Sequence, residues 1–260
     1  MGNGAPRYTV TGPVRAVVFD LDDTLLDHRG SAATALGEWL PTLGVVAGER
    51  QVEAWFEAEE RHFPRWSAGE ITHVEHRRFR MRDFLPAVGV RTGDDDDLDR
   101  LYAGYLACYR RSWTTFDDVD AAVARLRAAG IALAVLSNGL TEQQLAKVEA
   151  VGLSGVIGPV VTAEEVGVAK PDPEIYLTVC ARLGVAPGEA LHVGDRYDLD
   201  VLGPRAAGLR AVHLDRRGQG PLDEVDRITS LDQLEVGARP PAVAPPQAPR
   251  SRPASGRPSW

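Results

Sequence analysis

The chain has 260 residues, of which 44% are hydrophobic and 25% charged, and this composition excludes a disordered or fibrous protein. The net charge of -8 at pH 7 argues against nucleic acid or an anionic membrane surface as a partner, because an acidic protein repels both polyanions. The apolar runs are too short, or too interrupted by glycine and proline, to predict a transmembrane helix.

Residues 1–13 form a polar, glycine-containing segment, and we expect a flexible leader there. The segment lacks the cationic start, apolar stretch and cleavage site of a secretory signal, which predicts a cytoplasmic protein. Two cysteines, Cys108 and Cys180, have no cysteine or histidine at metal-ligand spacing. We interpret both as buried small hydrophobic residues.

The order of predicted elements indicates an α/β fold. A β-branched apolar run predicts a strand over 14–20, and apolar residues at helical spacing predict a helical block over 31–113. Further helices are predicted over 117–129, 141–151, 172–183 and 200–207, and strands over 131–136, 160–162, 190–193 and 210–213. This alternation is typical of a Rossmann-like, doubly wound parallel sheet covered on both faces.

The same pattern predicts the domain organisation. Residues 14–30 and 114–236 are expected to form the α/β core, and residues 31–113 an inserted all-helical cap. Residues 237–260 are rich in proline and arginine, contain no acidic residue and show no periodicity that could bury a core. We expect a disordered tail there.

Polar groups follow four of the predicted strands at the point where each strand ends. The groups are Asp20 with Asp22, Ser137 with Asn138 and Gly139, Lys170, and Asp195 with Asp200. Because the carboxyl ends of parallel strands face one crevice, we expect these residues to converge although they are far apart in sequence.

The motifs that carry these residues resemble those of the haloacid dehalogenase superfamily. They read Phe-Asp-Leu-Asp-Asp-Thr-Leu at Asp20, Ser-Asn-Gly at Ser137, Lys-Pro-Asp-Pro at Lys170 and Gly-Asp at Asp195, in the family's order. The predicted helical block also stands where the family inserts its cap. The resemblance implies a magnesium-dependent phosphatase that hydrolyses a small phosphorylated metabolite.

The resemblance also implies a role for each motif residue. Asp20 would attack phosphorus to give an aspartyl phosphate, and Asp22 would act as general acid and then as general base. Ser137, Lys170 and the main-chain N–H groups around Asn138 and Gly139 would bind the transferring phosphoryl group.

A divalent cation is expected because several carboxylates meet where a phosphate must also bind. Oxygen ligands suit hard Mg²⁺. By resemblance, the ligands are the side chains of Asp20 and Asp195 and the main-chain carbonyl of Asp22. Asp200 would support these ligands from behind, or would contact the cation through a water molecule.

Three other readings compete with the phosphatase. Dehalogenases lack the second carboxylate of the first motif, so the presence of Asp22 argues against a dehalogenase. Sugar phosphomutases of this type carry a histidine about a dozen residues after the nucleophile, where this chain has Ala32. A catalytically idle binding module would not need the complete residue set. Sugar phosphates, nucleoside monophosphates, phosphoglycolate and biosynthetic intermediates stay open as substrates, as does the oligomeric state.

Other charged residues are expected to be structural. The acidic run 94–97 suits a helix N-terminus, and Asp23, Asp27 and Asp198 suit loops or caps. Pro204 leaves the start of the helix after Asp200 undefined. A solvated basic face is expected for the cap residues His62, Arg65, His73, His76, Arg77 and Arg80.

Overall fold

The structure is a computed structural model that describes residues 8–10 and 13–236. The tail predicted over 237–260 and most of the predicted leader therefore lie outside the described residues. Within the described part, no helix has both the length and the apolar composition that a membrane span requires.

Strands and helices alternate along the core, as the sequence predicts. The strands are β1 (Tyr8–Val10), β2 (Ala16–Phe19), β3 (Ala132–Ser137), β4 (Val160–Thr162), β5 (Ala190–Gly194), β6 (Arg210–Leu214), β7 (Arg227–Ile228) and β8 (Leu234–Val236). The helices are α1 (His28–Trp39), α2 (Glu49–Ser67), α3 (His73–Ala87), α4 (Asp95–Arg111), α5 (Val119–Ala128), α6 (Thr141–Ala150), α7 (Ala163–Val166), α8 (Pro173–Leu183) and α9 (Gly203–Ala206).

Six of the strands form one parallel sheet in the order β4-β3-β2-β5-β6-β7. The chain runs from β2 outward to β3 and β4, and then returns to the other side of β2 as β5. The order therefore reverses at β2, whose last residue, Phe19, pairs with Val135 on one side and Val193 on the other. Such a reversal opens a crevice at the carboxyl end of the central strand, where ligands bind in open α/β sheets.

Side chains of the central strand alternate between two apolar cores. Val17 and Phe19 pack in the core that includes residues of α5 and α6, whereas Val18 packs in the core that includes residues of α8. This alternation follows from the two-residue period of a strand. Helices thus cover both faces of the sheet, which confirms the predicted doubly wound α/β fold.

The helices α1 to α4 form a separate layer over the carboxyl end of β2, and we call them the cap. They share an apolar core that includes the fully buried side chains of Trp55 and Phe84. The acidic run lies at the start of α4, where Asp94 accepts a hydrogen bond from the N–H of Asp97 at 3.0 Å. This matches the expected capping of a helix N-terminus.

The structure differs from the sequence predictions in two short segments. Tyr8–Val10, predicted as part of a flexible leader, pair in parallel with Leu234–Val236. The helix predicted over 200–207 is instead a π-helical turn, Tyr197–Leu202, followed by α9. Pro204 lies in the first turn of α9, where a missing N–H leaves no hydrogen bond unmade.

Candidate active site

Asp20 lies at the end of β2, where the chain leaves the sheet through a tight turn. Its N–H still donates to Val193 O at 2.9 Å, and its side chain is buried. Three residues later Asp23 has a φ of 58°, and the N–H of Leu25 donates back to Leu21 O at 3.0 Å. This turn directs the carboxylates of Asp20 and Asp22 into the crevice instead of onto a face of the sheet.

Lys170 joins two of the predicted site carboxylates. Its buried Nζ lies 2.7 Å from Oδ1 of Asp20 and 2.7 Å from Oδ1 of Asp200. The loop that carries Lys170 is fixed by Asn138, whose Oδ1 accepts from Lys170 N at 2.7 Å and whose Nδ2 donates to Lys170 O at 2.9 Å. The side chain of Asn138 therefore holds the lysine loop, and its role toward substrate through the main chain stays a prediction.

Ser137 and Gly139 lie at the end of the neighbouring strand, β3. The Ser137 Oγ accepts from the N–H of Gly139 at 3.1 Å and from Nε2 of Gln144 at 2.6 Å. A Cβ on Gly139 would lie 2.3 Å from Nε2 of Gln144. A larger residue here would displace Gln144, which donates to Ser137 and to Asp22.

Asp200 is brought beneath Asp20 by the π-helical turn. Its Oδ1 accepts from Lys170 and from Nε2 of His192 at 2.9 Å, and its Oδ2 accepts from the N–H of Arg196 at 3.0 Å. A Cβ on Gly194 would lie 2.4 Å from Cγ of Asp200, so only glycine permits this close approach. The Arg196 guanidinium lies 5.8 Å from the Phe63 ring of the cap.

The carboxylates of the site repel one another. Burial raises the pKa of Asp20 to about 7, with Lys170 opposing the change and Asp200 adding to it. Burial, together with Asp20 and Asp200, also raises the pKa of Asp195 well above its ordinary value. In Asp200 burial is outweighed by Lys170 and His192, which hold its pKa below the ordinary value. Asp20 and Asp195 therefore lack enough nearby positive charge to offset their burial and mutual repulsion.

These residues fit a divalent cation. Carboxylate oxygens of Asp20, Asp195 and Asp200 all lie within 4.8 Å of one another. Protein donors already occupy three of the roughly four acceptor positions on Asp200. The donor set therefore favours Asp20 and Asp195 as direct ligands, with Asp200 placed behind them to hold Lys170.

Asp22 is held by two residues of α6 that sequence reasoning missed. Lys147 Nζ lies 2.6 and 2.9 Å from its two carboxylate oxygens, and Nε2 of Gln144 donates to Oδ2 at 3.0 Å. Although burial favours the neutral acid, Lys147 and then His28 lower the pKa of Asp22 below its ordinary value. One signal could have found Lys147: of the 29 lysine and arginine residues only two are lysine, and the other is Lys170.

The cap closes the crevice with a second group of polar side chains. His28 contacts Tyr109 Oη through Nδ1 at 2.5 Å and Glu59 Oε2 through Nε2 at 3.4 Å. Arg80 donates to the same Glu59 oxygen at 2.9 Å. Burial opposes the charged form of His28, but Glu59 raises the pKa of His28 above its ordinary value. These residues line the same cavity as Asp20 and Lys170.

The expectation of a solvated basic face on the cap is wrong for three residues. His62, His76 and Arg80 are buried, and His62 pairs with Asp83 at 2.8 Å. The reason is that α2 and α3 pack against each other, so His62 of α2 faces Asp83, and His76 and Arg80 of α3 face Trp66 and Glu59. Periodicity alone does not distinguish such a face from one that faces water.

The remaining minor predictions concern capping and cysteine burial. Asp27 caps α1 by accepting from the N–H of Gly30 at 2.8 Å, as expected. Asp23 accepts from the N–H of Arg29 at 3.0 Å and also lines the cavity. Cys180 is buried, and burial raises its pKa to about 11, whereas Cys108 is only half-buried.

The chain resembles known proteins in sequence and in fold. Residues 14–208 match the model of a family described as haloacid dehalogenase-like hydrolase. A phosphoserine phosphatase of Thermus thermophilus is 32% identical over 223 residues, covering 78% of this chain and 89% of its own. An (S)-2-haloacid dehalogenase of Burkholderia cepacia is 28% identical, covering 85% and 93% of the two chains. The HAD-hydrolase YfnB of Bacillus subtilis, bound to magnesium, shares the fold, with a TM-score of 0.75 at 20% identity and coverage of 85% and 97%.

Proposed function

Because the chain belongs to the haloacid dehalogenase-like hydrolases, as its motifs predict, we propose that it is a magnesium-dependent phosphatase acting on a small phosphorylated metabolite. The observation that carries the proposal is the contact of Lys170 Nζ with both Asp20 and Asp200, beside Asp195. A buried cation between a nucleophilic carboxylate and a supporting one suits a dianionic substrate. Relatives named as phosphatases also support it.

Asp20 acts as the nucleophile in this proposal. One of its carboxylate oxygens attacks phosphorus, the bond between phosphorus and the leaving oxygen breaks, and an aspartyl phosphate forms. Water then attacks the same phosphorus and releases phosphate and the free carboxylate. Covalent catalysis of this kind divides one difficult displacement into two easier ones.

Asp22 transfers a proton in each of the two steps. It gives a proton to the leaving alkoxide in the first step and takes one from the attacking water in the second. The pairing with Lys147 and Gln144 favours the ionised form, which suits the second step. We propose that the negative charge of a bound phosphoryl group raises the pKa of Asp22 for the first step.

The other site residues bind and orient the phosphoryl group. Lys170 contributes positive charge, and Ser137 with the main-chain N–H groups around Asn138 and Gly139 donates hydrogen bonds to its oxygens. Asp20, Asp195 and the Asp22 carbonyl would hold Mg²⁺, which when bound neutralises charge and polarises a phosphoryl oxygen. Asp200 keeps Lys170 in place.

A dehalogenase or phosphomutase is less well supported. A dehalogenase needs no residue to protonate an alkoxide, whereas Asp22 is held at the site by two side chains of α6. The position where a mutase carries its histidine is Ala32, which is buried in the cap core. Neither alternative explains the complete set of acid, lysine and metal-binding carboxylates.

Hydrolysis of p-nitrophenyl phosphate or acetyl phosphate by the purified full chain tests the proposal. We expect turnover with Mg²⁺, loss of turnover with a chelator, and a fall of roughly a thousandfold or more in Asp20→Asn. Asp198→Asn, which alters an exposed carboxylate on the π-helical turn, is the matched control and keeps its activity.

Three outcomes would contradict the proposal. No turnover by the folded, metal-loaded protein would favour a binding module. Halide release from a 2-haloacid without phosphate release would favour a dehalogenase, and phosphate exchange between sugar positions without net release would favour a mutase.

A further inference from the structure

A cavity of about 200 Å³ lies between the core and the cap. Its core side contains Asp20, Lys170 and Asp195, the groups assigned above to the transferring phosphoryl group. Its cap side contains residues of α2, α3 and α4 that this chemistry does not use. A substrate bound in the cavity therefore contacts both sides at once.

Three basic residues of α3 line the cap side of the cavity: His73, His76 and Arg80. Their separations of three and four residues place them on one face of the helix, and we call them the α3 basic face. The exposed fraction of His76 is 5% and that of Arg80 is 4%. Arginine is seldom buried to this extent unless it is paired, and here Arg80 is paired with Glu59.

Several polar atoms of the α3 basic face have no hydrogen-bond partner among the described residues. They are Nδ1 and Nε2 of His76 and Nε of Arg80. Native proteins leave few buried polar atoms unsatisfied, because the loss of hydrogen bonds to water is then uncompensated. Because both residues line the cavity, their unsatisfied polar atoms point to a polar ligand nearby.

The surrounding residues hold this face rigidly. The Trp66 ring stacks on His76 with centroids 5.4 Å apart, and the Arg80 guanidinium lies 3.9 Å above the Trp55 ring. Arg80 donates to Glu59 at 2.9 Å, which leaves further N–H groups of its planar guanidinium. A ligand therefore meets a preformed set of donors.

The α3 basic face carries little net positive charge, so any anion that it binds has at most a single charge. Glu59 offsets part of the charge of Arg80. Burial, with Arg80 adding to it, lowers the pKa of His76 to about 4, so its ring is neutral near pH 7. Burial and Arg77 lower the pKa of His73 to about 4 in the same way. A second dianionic phosphate would face too little positive charge here, whereas a carboxylate matches a planar guanidinium.

We propose that the α3 basic face binds a carboxylate of the substrate, remote from the phosphoryl group that is transferred. The substrates are then small phosphorylated carboxylic acids. This inference rests on the proposed phosphatase function. Arg80 and the N–H of His76 donate to the carboxylate while Lys170 and Asp20 engage phosphorus at the other end of the cavity.

A matched pair of substrates tests the inference: 3-phosphoglycerate and glycerol 3-phosphate, which differ by a carboxylate in place of a hydroxymethyl group. We expect kcat/KM for the carboxylate to exceed that of its neutral partner by roughly tenfold or more. In Arg80→Met the ratio falls to about one, mainly through KM, because the lost contact binds the substrate equally in ground and transition states.

Two further variants distinguish the loss of a substrate contact from misfolding. Arg80→Met leaves Glu59 without its arginine, so the double variant Glu59→Gln with Arg80→Met removes both charges together. His76→Phe preserves the stack on Trp66 and removes both ring nitrogens. Each should lower the ratio. Arg82→Met, exposed on the same helix and outside the cavity lining, keeps the wild-type ratio and is the control.

The outcomes separate this inference from the proposed function. Hydrolysis of both substrates at equal kcat/KM by the wild type would overturn the inference and leave the phosphatase intact. A ratio that persists in the Arg80 and His76 variants would overturn it too, as would a preference for 1,3-propanediol bisphosphate over 3-phosphoglycerate. Failure to hydrolyse any phosphate, including p-nitrophenyl phosphate, would overturn the proposed function and the inference together.

Discussion

Lys147 and Gln144 of α6 both donate hydrogen bonds to the carboxylate of Asp22. Both side chains are buried, and both lie on the helix that begins after the Ser-Asn-Gly motif. The pairing orients the proposed acid and base, and it sets the pH range over which that group is ionised. Lys147 therefore acts through Asp22 as a positioning residue.

Replacement of Lys147 by Met should shift the pH profile of turnover. Lys147 lowers the pKa of Asp22, so its loss raises that pKa and the ionised base forms only at higher pH. We expect the acidic limb of kcat to move up by roughly one pH unit, with a fall of about tenfold in kcat below it. Steady-state kinetics between about pH 3 and pH 7 measure this, because that range brackets the ordinary carboxylate pKa near 4, and one pH unit corresponds to about a tenfold change in the ionised fraction.

Lys147→Arg is the control for this change. It keeps the positive charge beside Asp22, and its acidic limb should stay near that of the wild type. Superimposed profiles for Lys147→Met and the wild type would show that the lysine does not govern Asp22.

Individual site residues were predictable to different degrees. Asp20, Ser137 and Asp195 lie at or directly after the ends of strands, and Lys170 lies beyond α7 in the segment that follows β4. Parallel strands end at one edge, so the convergence of these residues follows from order along the chain. Lys147, Gln144 and the cap residues lie on helices. Whether such residues reach the site depends on the rotation and packing of each helix, which a single sequence does not encode as a local pattern.

Elements within the alternating core were predicted well, and the short strands at the two ends of the described residues were not. The strand predicted over 160–162 is β4, and the helix predicted over 172–183 is α8 with Asp172 as its N-cap. The pair β1 and β8 has three residues in each strand and joins segments more than 220 residues apart. Two or three residues show no alternation, so only long-range pairing reveals these strands.

The loop after β6 illustrates an element that depends on one carboxylate. Asp215 is buried and accepts from the N–H of Gln219 at 2.9 Å, the N–H of Gly220 at 3.0 Å and Nε of Arg227 at 2.9 Å. Burial opposes ionisation, but these hydrogen bonds and Arg227 lower the pKa of Asp215 to about 2. The side chain thereby ties the end of β6 to β7.

Asp215→Asn should destabilise the fold by about 2 kcal/mol at pH 7, because an amide cannot accept all three hydrogen bonds. Since the folded pKa is depressed, the contribution is complete above the ordinary value near 4 and is lost as pH falls toward 2. The difference in urea midpoint between wild type and variant should therefore shrink between pH 4 and pH 2.

Asp232→Asn, at an exposed carboxylate in the following loop, is the control and should leave the urea midpoint within the scatter of surface substitutions. An Asp215→Asn midpoint equal to that of the wild type at pH 7 would contradict the proposed role. So would a difference that does not change at acid pH.

The whole molecule combines a sheet that supplies the chemistry with a cap that shapes the substrate cavity. The core architecture was predictable because alternating apolar elements leave few arrangements other than a parallel sheet. The inner surface of the cap was not, since the α3 basic face has the composition of a solvated surface. Its burial arises from the packing of α3 on α2, where His76 stacks on Trp66 and Arg80 lies over Trp55, and this packing appears only in three dimensions.

In the proposed mechanism, Asp20 carries the phosphoryl group during turnover. Full-length protein is mixed with a hydrolysed substrate and Mg²⁺, quenched in acid, treated with borohydride to reduce any aspartyl phosphate to homoserine, and digested with trypsin. We predict conversion at Asp20 within the peptide of residues 16–29, dependent on substrate and absent in Asp20→Asn. Sustained turnover with Asp20 unmodified, or with modification at a different carboxylate, would contradict the account.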